Sequence, residues 1–229
     1  KIARERGISI TFAGMDIDPT TLEQALMQGL DSNDLENVEI RDFVLQPPQN
    51  KLSAIVANPP YIRHHRIPAE TKEQLKRLSL QTLGTVLDGR AGLHVYFLIR
   101  ALTLLEENGR LAFIMPADTC EGKFANVLWR WITANYRLEA TVTFTPEASP
   151  FPNVDTNPLI FFIRRAIPET EFHWVKCYES RRDLLKQWVR SNFEINPQTG
   201  LAVTKRKVSE ALMTGLSRPP MVGTMNKYI

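Results

Sequence analysis

Ala54-Ile55-Val56-Ala57 runs directly into Asn58-Pro59-Pro60-Tyr61-Ile62, and a β-forming run cut short by two prolines leaves a chain few choices. Neither proline can donate to a sheet ladder, and each fixes its own φ. The apolar run shows no alternation, which predicts a buried strand of a parallel sheet over 52–57. The predicted product is a stiff elbow at the carboxyl end of that strand, with an amide (Asn58) and a phenol (Tyr61) fixed on it. The carboxyl edge of an open α/β sheet is where such folds bind ligands.

The flanking chain supports the same class. A strand is expected over 8–15, after which Asp18-Pro19 offers a carboxylate N-cap and a first-turn proline. A helix through Leu22, Ala25, Leu26 and Leu30 should follow, then a short strand over 38–41. Beyond the elbow come a surface helix over 68–77 and a flexible loop over 82–90. Next is an amphipathic helix with Leu93, Tyr96, Phe97, Ala101, Leu104 and Leu105 on one face, capped by Asn108-Gly109. A buried strand is expected over 110–115, and a helix over 124–136 with Val127, Leu128, Trp131 and Ile132 inward. Strands 138–144 and 158–164 should pair antiparallel, with 172–177 as an edge strand. From Ser180 the pattern becomes helix, loop and basic patches at Arg181, Arg182, Lys186 and Lys205-Arg206-Lys207.

At 229 residues with a net charge of +3, the chain can build one large core and is compatible with nucleic acid without requiring it. No apolar run is long enough to span a bilayer, and the first residues lack a signal-peptide shape. The opening Lys1-Ile2-Ala3, without Met, reads as a piece of a longer protein. Cys120 and Cys177, far apart and outside any C-x-x-C, suggest a reducing compartment and no metal cluster. His64 and His65, adjacent in a segment read as extended, should point to opposite faces, and no third ligand has useful spacing. No metal is therefore expected.

The elbow suggests a chemistry. An exocyclic amino group on a nucleobase is a poor nucleophile because its lone pair is delocalised into the ring. Accepting hydrogen bonds from both of its N–H groups pushes that nitrogen toward a tetrahedral, nucleophilic form. The Asn58 side-chain oxygen and the Pro59 carbonyl are acceptors such an elbow can offer, and Tyr61 can stack on the base. Taken alone, a four-residue match is equally a Pro-Pro loop end. Its place after a strand, third in an α/β succession, favours function.

These residues resemble the catalytic domain of a gamma-class, S-adenosylmethionine-dependent DNA adenine-N6 methyltransferase of restriction–modification type, over most of residues 8–165. The resemblance implies a Rossmann-like methyltransferase sheet, mostly parallel with an antiparallel C-terminal hairpin and helices on both faces. It assigns Asn58, Pro59, Pro60 and Tyr61 to catalysis. Gly14-Met15-Asp16-Ile17-Asp18-Pro19 resembles the family's second motif, which implies that Asp16 binds the ribose hydroxyls of S-adenosylmethionine, Asp18 being the helix cap. Arg41-Asp42-Phe43 resembles the third motif: Asp42 would accept from the donor's adenine amino group and Phe43 pack on its ring. Pro150-Phe151-Pro152-Asn153-Val154 resembles the eighth motif, in which Phe151 sandwiches the flipped adenine against Tyr61. Arg63 and Arg66 are candidates for DNA phosphate contacts, with a solvated loop equally in view. Asn at position 58 resembles the adenine enzymes. Cys120 lacks the neighbouring proline of the cytosine-C5 mechanism.

The domain reading that follows is a methyltransferase catalytic domain over 1–178 and a helical, basic extension over 179–229 leading toward a target-recognition domain. The partners implied are double-stranded DNA and a restriction endonuclease or specificity domain or subunit, in the cytoplasm of a bacterium or archaeon. The Gly-rich first motif should lie before residue 8, and nothing there qualifies. Three alternatives stay open: a protein glutamine N5-methyltransferase, whose family shares Asn-Pro-Pro-Tyr, an RNA methyltransferase of the same chemistry, and a catalytically incomplete DNA-binding fragment or subunit.

Overall fold

The computed structural model describes residues 6–151, 154, 156–178, 182–194 and 200–220. It divides into two compact units, Lys1–Gln49 and Asn50–Ile229.

In the first unit, β1 (Gly14–Asp16) and β2 (Val38–Ile40) pair in parallel, with Asp16 opposite Ile40. Helix α1 (Thr20–Met27) joins them. Asp18 opens it, accepting from the Thr20 N–H and hydroxyl at 2.9 Å each, with Pro19 already helical. These bonds hold the Asp18 carboxyl below its usual pKa. The helix stops short of the expected Leu30 because Gly29 takes φ 88°, and the Leu30 N–H turns back to the Ala25 carbonyl at 3.1 Å. The strand expected over 8–15 shrinks to 14–16. Ile8, Ile10 and Phe12 alternate as a strand would, but they are exposed and join no ladder. Alternation supplies an apolar face, not a hydrogen-bonding neighbour.

The second unit is a six-stranded sheet in the order β3-β4-β6-β5-β7-β8. Its strands are β3 (Leu52–Ala57), β4 (Leu105–Pro116), β5 (Arg137–Phe144), β6 (Pro158–Arg164), β7 (Glu171–Cys177) and β8 (Leu201–Lys207). β3 runs parallel to β4, and β5 parallel to β7. β6 inserts antiparallel between β4 and β5, so the expected hairpin of β5 and β6 is present and β6 also pairs with β4. β3, β4, β5 and β7 therefore share one direction. Successive side chains of a strand face opposite ways. Phe161 packs on Trp129 at 4.6 Å between ring centroids, and Phe162 packs on Phe193 at 5.5 Å. Trp129 belongs to α4 (Gly122–Asn135) and Phe193 follows α5 (Arg182–Arg190), which puts helices on both faces.

Several elements differ from expectation. β3 has its expected bounds but sits at the sheet edge; Ile55 is buried while Val56 is 83% exposed. Helix α2 (Ala69–Leu83) is longer than expected and ends at Gly84 in the left-handed region, φ 75°. The loop after it is packed: Leu87 is buried. Helix α3 (Leu93–Leu104) is buried almost all round, and β4 begins at once. Asn108-Gly109 is therefore no helix cap. Asn108, at φ 63°, forms an irregularity inside β4, with its N–H on the Arg165 carbonyl at 2.9 Å. In α4 the inward tryptophan is Trp129, whose indole donates to the Thr119 carbonyl at 2.9 Å, and Val127 is exposed. A shift of two positions along a Trp-Arg-Trp sequence turns a helix face by more than a right angle.

β7 is internal, because Leu201–Lys207, whose last three residues read as a basic patch, forms the edge strand β8. Alternation along β8 sends Arg206 inward, where it is 1% exposed. Its guanidinium bonds Glu210 at 3.3 Å, the Thr214 hydroxyl, and the carbonyls of Gly215 at 2.9 Å, Leu216 at 3.4 Å and Arg218 at 2.6 Å. These atoms lie on and just after α6 (Val208–Thr214), so one cation closes a helix C-terminus against the sheet. Arg181 and the residues from 221 on lie outside the described residues. Arg206→Met keeps most of the apolar stem and removes every donor. It is expected to lower the unfolding free energy by about 3 kcal/mol, measured by urea denaturation.

Candidate active site

β3, β4, β5 and β7 point the same way, so their carboxyl ends form one edge of the sheet. Ala57 pairs with Phe113, Pro116 with Pro158, and Thr143 with Leu159. Reversed β6 therefore starts where β4 and β5 end. That edge collects the 58–61 elbow, the turn at Ala117–Cys120, and the 145–157 loop that carries Phe151.

At the elbow the ladder ends at Ala57, as two prolines require. Asn58 and Pro60 are exposed and Pro59 is buried. The Ile62 N–H donates to the Pro60 carbonyl at 3.0 Å. Among the described residues, no backbone N–H donates to the Pro59 carbonyl, and this is the acceptor the sequence singled out. Tyr61 is half-buried, and its hydroxyl donates to the Ile114 carbonyl of β4 at 3.0 Å. Burial pushes its pKa up to about 12. The phenol keeps its proton at physiological pH. Against its ring, edge to face at 5.8 Å, lies His94 of α3. His94 is buried, and burial lowers its pKa against the opposing influence of Asp118.

Phe151 is half-buried. Its N–H donates to Ser149 Oγ at 3.2 Å, and the Val154 N–H donates to its carbonyl at 3.4 Å. Pro152 and Asn153 lie outside the described residues. Past the elbow, His64–Arg66 is a 3₁₀ turn rather than an extended segment. The two imidazoles consequently touch edge to face at 5.6 Å instead of pointing apart. Arg63, in extended backbone just before the turn, and Arg66 are both exposed, and the Arg66 N–H donates to the Arg63 carbonyl at 2.9 Å.

In the first unit, Asp16 ends β1 and Asp42 lies two residues past β2, at the same end of a parallel pair. Asp16 Oδ1 accepts from the Asp18 N–H at 2.9 Å. Asp42 Oδ1 accepts from the N–H groups of Val44 at 2.8 Å and Leu45 at 2.9 Å. Phe43 beside it is half-buried. The arrangement thus brings Asn58, Pro59, Pro60, Tyr61, Phe151, Arg63 and Arg66 to one sheet edge of the second unit. Asp16, Asp42 and Phe43 gather at one strand end of the first.

Sequence reasoning missed the Ile114 carbonyl and His94. A backbone acceptor leaves no trace in residue identity. His94 left one: a lone imidazole among the apolar residues that open its helix, two residues after a glycine.

Residues 13–151 match the model of the Eco57I restriction-modification methylase family. The chain belongs to that family. Type II methyltransferase M.AccI of Acinetobacter calcoaceticus is 24% identical over 151 residues, covering 66% of this chain and 27% of the relative. M.XhoI of Xanthomonas vasicola is 30% identical over 130 residues, covering 57% and 23%. M.BstVI of Geobacillus stearothermophilus is 34% identical over 116 residues, covering 50% and 19%. The chain thus spans about a quarter of the length of these relatives.

Among solved structures, the fold resembles a type I restriction-modification methyltransferase subunit from Streptococcus thermophilus (TM-score 0.65, 10% identity, 89% of this chain and 46% of that one). It also resembles a putative class I S-adenosylmethionine-dependent methyltransferase from Listeria monocytogenes (TM-score 0.63, 15% identity, 84% and 58%). The fold of this chain is accordingly Rossmann-like.

The half-buried phenol sets a pH prediction. An unfolded tyrosine ionises near pH 10, and Tyr61 in the folded protein near 12. The folded state holds the proton that the unfolded state loses, so stability falls as pH rises through that window. Absorbance titration of wild type against Tyr61→Phe should show one phenol that ionises only near pH 12.

Proposed function

We propose that this chain carries the catalytic elbow and part of the donor site of a DNA methyltransferase that transfers a methyl group from S-adenosylmethionine to N6 of an adenine flipped out of duplex DNA. The observation that carries the proposal is the elbow itself, in a chain of a restriction-modification methylase family. Its Pro59 carbonyl has no backbone donor among the described residues, its Asn58 amide is exposed, and its Tyr61 ring is pinned to β4.

S-adenosylmethionine, when bound, supplies an electrophilic methyl group. The remaining work falls to the chain's own residues. Asn58 Oδ1 and the Pro59 carbonyl accept the two N–H groups of the adenine amine and draw its lone pair out of conjugation. Pro60 keeps the turn rigid. Tyr61 on one face and Phe151 on the other hold the base flat. The amine proton becomes acidic once nitrogen is alkylated, so no strong base is required. Arg63 and Arg66 meet the phosphates beside the flipped nucleotide.

The acids of the first unit suit the donor's nucleoside. Asp16 and Asp42 each use one carboxylate oxygen on local backbone N–H groups, and the other oxygen has no hydrogen bond among the described residues. A carboxylate at a strand tip is the usual reader of a ribose diol, which fits Asp16. Asp42 would accept from the donor's adenine amine, with Phe43 on its ring. Duplex DNA is the macromolecular partner, alongside an endonuclease or specificity component of the same system. No helix among the described residues is long and apolar enough to cross a membrane, and the reading places the enzyme in the cytoplasm with its DNA.

The test is methylation of duplex DNA by the intact enzyme, with the product nucleosides identified. N6-methyladenine is expected; a methylated cytosine, or methylation of glutamine in a protein instead, would overturn the reading. Asn58→Ala should lower kcat by at least about a hundredfold. Because Asn58 is exposed, its unfolding free energy should stay within about 0.5 kcal/mol of wild type. Phe151→Ala removes one stacking face and should weaken binding of duplexes carrying the target base by about tenfold, read by fluorescence anisotropy.

A further inference from the structure

We infer that His94 is a positioning residue for the elbow: its ring, wedged between the Gly92 backbone and Tyr61, sets the plane in which Tyr61 meets the target base. The inference rests on the reading of Tyr61 as a stacking surface. Gly92 is the first sign. Its φ of −73° and ψ of 166° are open to any residue, so conformation does not demand a glycine there. Space does. A Cβ at position 92 would lie 2.6 Å from His94 Cε1, 2.9 Å from His94 Nδ1 and 3.0 Å from the Ile62 carbonyl oxygen. The first two distances are contacts that real Cβ atoms essentially never make.

The same short stretch grips the elbow directly. The Leu93 N–H donates to the Ile62 carbonyl at 2.9 Å, which fixes the residue after Tyr61 to the start of α3. One position further along α3, the His94 ring meets the Tyr61 ring at 80°. Tyr61 is thus restrained at its hydroxyl by Ile114 and along its ring by His94, each from a different element. His94 is 7% exposed, and neither of its ring nitrogens has a hydrogen-bond partner among the described residues. Without partners for its nitrogens, the imidazole acts through its shape. Burial also favours its neutral form, so it adds no charge beside the base. A methyl group at position 92 would push this ring, and Tyr61 with it.

The experiment labels the tyrosines of the intact protein with carbon-13 and assigns Tyr61 by its loss in Tyr61→Phe. His94→Ala, His94→Phe and Gly92→Ala are then compared, with methylation kinetics measured alongside. His94→Ala and Gly92→Ala should shift the Tyr61 ring resonances and raise KM for duplex DNA by about tenfold, with a smaller effect on kcat. His94→Phe should restore both and raise the melting temperature, since it fills the space without two unpaired polar atoms. Should His94→Ala not fold, Gly92→Ala carries the same comparison. The inference fails if Tyr61 resonances stay in place in the Ala variants, or if His94→Phe does not restore them. If wild type methylates no DNA, the proposed function fails while the ring resonances still decide the role of His94.

Discussion

The insertion of β6 between β4 and β5 is the pairing on which the candidate site depends. A chain leaving β5 and returning antiparallel must begin β6 at the carboxyl edge of its neighbours, and the register of Pro116 with Pro158 and Thr143 with Leu159 fixes that start. The 145–157 loop is thereby committed to the edge that holds the elbow. Had β6 run parallel, the connection would have had to cross to the opposite edge before β6 could begin. The ladder is completed at its tip by the Ala117 N–H on the Asn157 carbonyl at 2.8 Å. Phe161 and Phe162, on opposite faces of β6, then bind the sheet to the helices on either side. One strand thus anchors both layers of core and aims the loop that a base-stacking role requires.

Rigidity at the elbow comes from neighbouring elements more than from the prolines alone. Pro59 and Pro60 set the direction of the turn, but they cannot fix the ring two bonds away from the backbone of Tyr61. That is done by the Ile114 carbonyl and the His94 ring, both held in the well-packed second unit. The amide of Asn58, by contrast, is left exposed. A stacking surface gains from being fixed before the base arrives, whereas acceptors must remain open to it. The half-buried ring and the exposed amide fit the roles proposed for Tyr61 and Asn58.

The legible parts of this chain were those written in local sequence. The elbow, the Asp18 cap, the bounds of β3 and the antiparallel pairing of β5 with β6 follow from prolines, capping chemistry and apolar runs, all readable within a few residues. The rest depended on neighbours far away in sequence. Lys205-Arg206-Lys207 reads as a surface patch until β7 supplies a ladder and alternation sends Arg206 inward. Asn108-Gly109 reads as a helix stop until β4 begins directly at Leu105 and absorbs it. His64 and His65 change faces once a 3₁₀ turn replaces an extended segment. In the site, identities and order along the chain were visible. The Ile114 carbonyl was not, since every residue has one.

The acids of the first unit show why a structural and a functional reading of one residue need not compete. Asp18 spends its engaged oxygen on both donors of Thr20 and opens a helix, which accounts for it fully. Asp16 and Asp42 also accept backbone N–H groups, so each stabilises a turn. Those same bonds orient the carboxylate: one oxygen is tied to the loop, and the other has no hydrogen bond among the described residues. A carboxylate that had to be ordered on binding would forfeit side-chain entropy with each ligand. One that is ordered by its own turn has met that cost during folding. The turn chemistry that makes Asp42 look merely structural is therefore what would let it serve as a preorganised acceptor, and its contribution to a turn is no argument against a role in binding.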